Sequence, residues 1–107
     1  MKQTEALFAQ AEAQFSGRAE VTQGKLFGHP CLSVQGKAFL VRFHDDLVFK
    51  LGRERAKVLL DVHVELRLFD PSGKGRAMRD WVQAPVSFSH EVSAWSEASC
   101  AFVLASL

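Results

Sequence analysis

The spacing of apolar side chains near the start of the chain predicts a helix over residues 3–16. Its apolar positions follow the i, i+3, i+4 pattern of one buried helix face. They are Leu7, Phe8, Ala11 and Phe15. Thr4 can cap the start of this helix, and Gly17 can end it.

The middle of the chain carries short apolar segments separated by polar residues, glycine or proline, which is typical of an antiparallel meander. The predicted strands span residues 21–27, 31–34, 38–43 and 47–51. Gly36 can take a positive φ in a tight turn. Alternation puts three side chains of the third strand on one face, namely Phe39, Val41 and Phe43. In the fourth strand, the side chains that share a face are Leu47, Phe49 and Leu51.

The second half of the chain predicts two more helices and two more extended segments. Residues 52–61 form a short helix, and the alternation over 62–68 favours an extended segment. Residues 70–75 are a loop by composition, and 81–84 form the last strand. The C-terminal helix begins near Ser89, which can cap it. Its apolar stripe comprises Val92, Trp95, Ser99, Phe102 and Val103.

The predicted order of elements is therefore α-β-β-β-β-α-β-β-α. Facing apolar rows on a sheet need a cover, and the helices supply it. We predict an α+β fold, a two-layer domain in which an antiparallel sheet packs against the N- and C-terminal helices. With no linker or repeat in the pattern, residues 1–107 are predicted to be a single domain.

Composition narrows the functional classes. Apolar residues make up 48 % of the chain, which is enough for a packed core. Thirteen Lys and Arg against twelve Asp and Glu give a formal charge of +1, which argues against tight non-specific DNA binding. Two cysteines are too few for a disulfide framework, and the N-terminus lacks the features of a signal peptide. We expect a cytoplasmic protein without a membrane segment.

Few residues offer catalytic or metal-binding chemistry. His29 with Cys31, and His63 with Glu65, are two apart, but a structural zinc site needs four ligands and a catalytic site three. Cys31, beside His29, is the better candidate for a reactive thiol, although burial is the commoner state of a free cysteine. We therefore predict no catalytic residue, no metal site and no cofactor.

Exposed loops and basic residues suggest where a partner could bind. The Gly28–Pro30 break and the glycine-rich loop 72–76 are positions where binding residues often lie. Basic residues cluster on the short helix and the late loop, and a solvated charged face is the competing interpretation. The candidate surface comprises Phe27, His29, Arg53, Arg55, Lys57, Lys74, Arg76 and Arg79.

Several short motifs occur in the order found in one known family. They are Gly24–Gly28, Gly36–Phe39, Asp46–Leu51, Phe69–Pro71, Gly75–Met78, and Trp81–Val82 followed by Pro85. In this order and spacing the chain resembles the TfoX N-terminal domain family over about residues 7–104. Leu26 departs from the methionine common in that family.

The resemblance implies a two-layer α/β domain with an antiparallel sheet, like the related YjbR-type proteins, and a link to competence and transcription regulation. It supplies no catalytic residues. Full-length competence regulators carry a second, C-terminal domain that does not follow here, so a role in DNA uptake is not expected.

Three functions fit these observations. The first is a non-enzymatic regulatory or adaptor module that contacts another protein, with homodimerisation through a sheet edge or an apolar helix face as one arrangement. The second is direct nucleic-acid binding through the basic residues. The third is a small ligand-binding protein or enzyme centred on His29 and Cys31.

Overall fold

A computed structural model describes residues 2–107, with side chains from residue 3 onward. The chain forms α1 (Lys2–Gln14), β1 (Val21–Leu26), β2 (His29–Val34), β3 (Lys37–Phe43), β4 (Asp46–Lys50), α2 (Arg53–Val62), β5 (Arg67–Phe69), β6 (Met78–Ala84), a 3₁₀ turn (Val86–Glu91) and α3 (Val92–Ala105). The predicted order of elements is confirmed.

The six strands form one sheet in the order β1-β2-β3-β4-β6-β5, and every neighbouring pair is antiparallel. Helices α1 and α3 pack against this sheet, so the predicted α+β fold is confirmed. Two-residue turns allow the chain to reverse direction between neighbouring strands. Phe27 and Gly28 both take positive φ, as do Gln35 and Gly36, which is the backbone that a two-residue hairpin favours.

Both predicted N-terminal helix caps are wrong. Thr4 lies inside the first turn of α1 and is 1 % exposed, and its hydroxyl donates to the carbonyl of Asp45 at 2.7 Å. Ser89 lies within the 3₁₀ turn, and Glu91 precedes α3 with no side-chain cap hydrogen bond. Helix α1 therefore begins before Thr4, whereas α3 begins after Ser89, at Val92.

The alternation over residues 62–68 overstated the length of a strand. Val62 is the last residue of α2, Val64 is 94 % exposed, and only Arg67–Phe69 form β5. Apolar and polar residues alternate over this segment because the helix ends with an outward-facing valine and a turn follows. The alternation therefore does not reflect an extended backbone.

A β-bulge corrects the predicted face of β3. Leu32 pairs with Leu40 but Ser33 pairs with Ala38, which leaves Phe39 as an extra residue. Phe39 and Leu40 therefore both pack in the helix-covered core, while Val41 lies on the other face. The predicted shared face of Leu47, Phe49 and Leu51 is confirmed, because all three are in the helix-covered core.

The helix-covered core lies between the helices and one face of the sheet. The rings of Phe15 and Phe39 meet edge to face at 5.2 Å, and those of Phe49 and Trp95 at 5.6 Å. Each pair joins a helical segment to the sheet, and such contacts add to the free energy gained from burial.

The other face of the sheet holds a second cluster made entirely of strand residues, which we name the curl cluster. Its buried members are Cys31, Val41, Val48, Phe69 and Trp81. The ring of Phe27, in the β1–β2 turn, lies 6.4 Å from that of Phe69 on β5, at the opposite edge of the sheet. The sheet must curl to bring its two edges this close, and the curl buries the cluster.

Candidate binding groove

A groove of about 240 Å³ runs between α2 and the β5–β6 edge of the sheet. Its lining residues are Arg53, Lys57, Leu60, Asp61, Leu68 and Arg79. The four residues from α2 are spaced i, i+4, i+7 and i+8, so they share one side of the helix. Leu60 and Leu68 contact the helix-covered core, and they give the groove an apolar floor. We name this site the α2 groove.

The backbone at the start of α2 fixes the position of the groove. The N–H groups of Leu51 and Gly52 both donate to the carbonyl of Asp80, at 2.9 and 3.1 Å. These bonds hold the first turn of α2 beside β6, and therefore Arg53 beside Arg79. Gly52 has φ +94, and a Cβ there would lie 2.6 Å from the ring of Phe102. Only glycine suits both conditions without strain.

The charge of the α2 groove is unbalanced. Arg53, Lys57 and Arg79 are exposed, and in the described part of the chain no ion pair involves any of them. Asp61 is the only carboxylate among the lining residues. Three cations beside one anion, around an apolar floor, favour a ligand that has negative charge next to an apolar group.

The structure brings three of the six predicted basic residues together and separates the others. Arg55 lies on the far side of Arg53, in an open depression that Glu54 and Phe102 also line. Lys74 and Arg76 lie on the exposed loop between β5 and β6 and do not line the groove.

That loop is ordered by one carboxylate. Asp70 accepts hydrogen bonds from the hydroxyl of Ser72 and from the backbone N–H groups of Gly73, Gly75 and Arg76, at 2.8–3.1 Å. The Ser72 bond, followed by the backbone bonds, holds the pKa of Asp70 below its ordinary value. The loop therefore has a defined shape, and the glycine-rich segment is not simply a long flexible connection.

Phe27 and His29 lie apart from the α2 groove. Phe27 is 59 % exposed at the β1–β2 turn. His29 begins β2 and packs against the rings of Phe43 and His44. The eight predicted surface residues thus do not form one continuous site.

Both thiols are buried. Cys31 lies in the curl cluster, with its Sγ 3.8 Å from the hydroxyl of Ser33. Cys100 is buried in the helix-covered core, and burial raises the pKa of its thiol. Among residues 3–107, no group of three or more His, Cys, Asp or Glu side chains lies close enough to hold a metal ion. None of the helices formed by residues 2–107 is long and apolar enough to cross a bilayer.

The predicted binding surface did not include the floor of the groove or its acidic residue. Leu60 lies within the short helix predicted over residues 52–61, and Leu68 lies within the extended segment predicted over 62–68, and neither was singled out. Asp61 follows Lys57 by four residues, a spacing that places both on one helix side, so the sequence did contain that signal. The proximity of Arg79 depends on tertiary structure.

Comparison with protein families, with curated proteins and with solved structures found no match for this chain.

Proposed function

We propose that this protein is a non-enzymatic adaptor module that binds an acidic segment of another protein in the α2 groove. The observation that carries the proposal is the meeting of Arg53, Lys57 and Arg79 around the apolar floor of Leu60 and Leu68. A peptide with an acidic residue next to an apolar residue satisfies both features. The apolar side chain is buried on the leucines, and the carboxylates lie among the cations.

The rest of α2 favours a protein over a nucleic acid. Val58 and Val62, one helical turn apart, are 61 % and 67 % exposed on the outward side of the helix. Exposed apolar side chains beside a charged groove are typical of protein contact surfaces and offer little to a phosphate backbone. The same valines are the apolar helix face on which a homodimer would form.

Both thiols lie in environments that support a non-enzymatic role. A cysteine nucleophile needs a lowered pKa and access to solvent. Cys31 is 2 % exposed among apolar side chains, and burial raises the pKa of the Cys100 thiol. These are the surroundings of packing residues.

The proposal keeps the relation to the TfoX N-terminal domain family and the cytoplasmic location as hypotheses. The antiparallel sheet with packed helices agrees with the fold that the resemblance implied. A regulatory adaptor is the role that this family relation would predict.

The test measures binding of a fluorescent acidic peptide with one central leucine, by anisotropy at low salt. The double variant Lys57→Glu with Arg79→Glu reverses two groove cations. The matched control, Lys74→Glu with Arg76→Glu, makes the same change in net charge on the exposed loop. We expect the groove variant to weaken binding at least tenfold, which is about 1.4 kcal/mol. The loop variant should retain nearly full affinity.

Two results would overturn the proposal. They are no peptide binding to the wild type and equal weakening of peptide binding by the two variants. If the wild type binds a DNA duplex and not the peptide, the nucleic-acid hypothesis is favoured. Replacing the central leucine of the peptide with serine tests the apolar floor and should also reduce affinity. Size-exclusion chromatography with light scattering determines whether the binding species is a monomer or a homodimer.

A further inference from the structure

We propose that His29 and His44 form a binding site for a divalent transition-metal ion such as Cu²⁺ or Zn²⁺. The site is separate from the α2 groove and does not depend on the proposed function. His29 is the first residue of β2, and His44 follows the last residue of β3, the neighbouring strand. The antiparallel pairing of β2 with β3 brings together two imidazoles that are far apart in sequence.

The separation of the two rings suits a shared ion. Their centroids are 5.3 Å apart, and their planes are nearly perpendicular, at 79°. An imidazole nitrogen binds Zn²⁺ at about 2.0–2.1 Å, and the ring centre lies roughly 1.1 Å behind that nitrogen. Two imidazoles on one tetrahedral ion therefore have their centres about 5 Å apart. The observed separation of the two ring centres matches this value.

The ring of Phe43 supports both imidazoles. Its centroid lies 4.6 Å from that of His29 and 4.3 Å from that of His44. Phe43 in turn meets the buried ring of Phe69 edge to face, at 5.0 Å. Both candidate ligands therefore rest on an aromatic side chain that is fixed by the curl cluster, and a preorganised pair loses less entropy on binding an ion.

A solvent-accessible cavity of about 200 Å³ adjoins the pair. Glu5, Pro30 and Arg42 line it together with the two histidines. The carboxylate of Glu5 is 3.8 Å from Nη1 of Arg42, and the Glu5 side chain is 52 % exposed. Among the described residues Glu5 does not form a group of three metal ligands with the two histidines, so it adds negative charge to the cavity and is not counted as a ligand. Water would occupy the remaining positions, because the two imidazoles are the only nitrogen ligands that the cavity offers.

The charges around the cavity predict moderate affinity. The groups that face the imidazoles are the carboxylate of Glu5 and the guanidinium of Arg42. Arg42 repels a cation, and Glu5 offsets it. With two imidazoles as the main ligands, the expected order is Cu²⁺ above Zn²⁺, with Mg²⁺ bound weakly because it prefers oxygen ligands.

The two-residue turn between β3 and β4 fixes the backbone of His44. His44 has φ 55, and Phe27 and Gln35 take the same positive φ at the first position of their own hairpin turns. The turn therefore explains this conformation, and it places the imidazole of His44 beside that of His29.

The experiment titrates purified, tag-free protein with Cu²⁺, Zn²⁺ and Mg²⁺ at neutral pH by isothermal calorimetry. Electron paramagnetic resonance of the Cu²⁺ complex reports nitrogen ligands directly. The site variants are His29→Ala, His44→Ala and His44→Asn, the last of which keeps a residue that tolerates positive φ. The matched controls are His63→Ala and His90→Ala, which remove the other two histidines of the chain.

We expect one Cu²⁺ per chain, with nitrogen coupling from two imidazoles. Each site variant should lower the affinity at least tenfold, since loss of a supporting residue alone costs about that much at metal sites. The control variants should bind like the wild type, and Glu5→Gln should produce a smaller loss. The proposal is overturned if neither Cu²⁺ nor Zn²⁺ binds. It is also overturned if His44→Asn, while folded by circular dichroism, binds Cu²⁺ like the wild type.

Discussion

The two faces of the sheet are buried by different means. One face is covered by helices, and its largest side chains meet aromatic rings from those helices, as Phe49 meets Trp95. The other face is covered by the sheet itself, because the β1–β2 turn and β5 approach each other across the curl. Phe69 at its centre is as deeply buried as Phe49, at 0 % and 1 % exposed.

The comparison shows that a helix layer is not the only way to build a second core in a small domain. A strongly curled sheet encloses its own concave face, since sheets twist and coil by nature. The two faces also differ in what borders them. The α2 groove lies beside the helix-covered core, and the histidine pair rests on the curl cluster through Phe43.

The largest expected effect comes from truncating the centre of each face. Phe69→Ala and Phe49→Ala should each lower the free energy of unfolding by about 3–5 kcal/mol, because each leaves a cavity among buried residues. Chemical denaturation measures both. If Phe69→Ala lowers the free energy of unfolding by less than about 1 kcal/mol while Phe49→Ala lowers it by several, the curl cluster does not contribute to stability as a packed core does.

Gly52→Ala should have the next largest effect, on the helix-covered side. The positive φ of Gly52 disfavours alanine, and the new Cβ would meet the ring of Phe102. We expect a loss of about 1–3 kcal/mol. Making the same substitution in a Phe102→Leu background separates the steric contact from the backbone strain. A smaller side chain at position 102 should relieve the contact and recover part of the lost stability, and the loss that remains is due to the positive φ. Equal losses in the two backgrounds would show that the contact is unimportant.

Thr4→Val should lower the free energy of unfolding by about 1 kcal/mol, because it removes the partly buried hydrogen bond from α1 to the carbonyl of Asp45 while keeping the shape of the side chain. Thr4→Ser retains the hydroxyl and serves as the control. This bond joins the helix layer to the β3–β4 turn that carries His44, so Thr4→Val should leave the curl cluster intact, as measured by amide exchange in β5. Loss of protection there would show that the two faces are coupled.

The smallest expected effect is a pH dependence of stability from the helix layer. Hydrogen bonds from Arg18 and then from Gln14 hold the pKa of Glu97 below its ordinary value of 4.5. The unfolded chain therefore binds a proton at higher pH than the folded chain. The contribution is present above pH 4.5 and is lost as the pH falls through the folded-state pKa. Thermal unfolding of Glu97→Gln should show a flatter acid dependence than the wild type, and an identical dependence would contradict this origin.

The predictable parts of this fold are those with local causes. Helix α1, the meander of β1–β4 and helix α2 follow from apolar spacing and from glycine at the turns, because these signals act over a few residues. The face of the sheet on which the side chain of Phe39 lies could not be predicted, since the bulge depends on how β2 pairs with β3. The prediction of an extended segment over residues 62–68 was wrong because the local pattern itself was misleading. A helix end followed by a turn can mimic alternation until the position of the backbone is known.

The candidate sites divide in the same way. Arg53 and Lys57 could be placed together from sequence, because residues four apart share one side of a helix. Arg79 joins them only because the carbonyl of Asp80 binds the start of α2. His29 was noticed for its closeness to Cys31, with no metal predicted, whereas the fold pairs it with His44 across a strand boundary.

The amino-acid sequence by itself determined the number, order and kind of the main elements, because propensity and apolar period are properties of neighbouring residues. Only the tertiary structure decided the curl of the sheet, the burial of Phe69 and the groups that meet in the α2 groove and at the histidine pair. These depend on strand register and on contacts between residues distant in the chain, which no local pattern encodes.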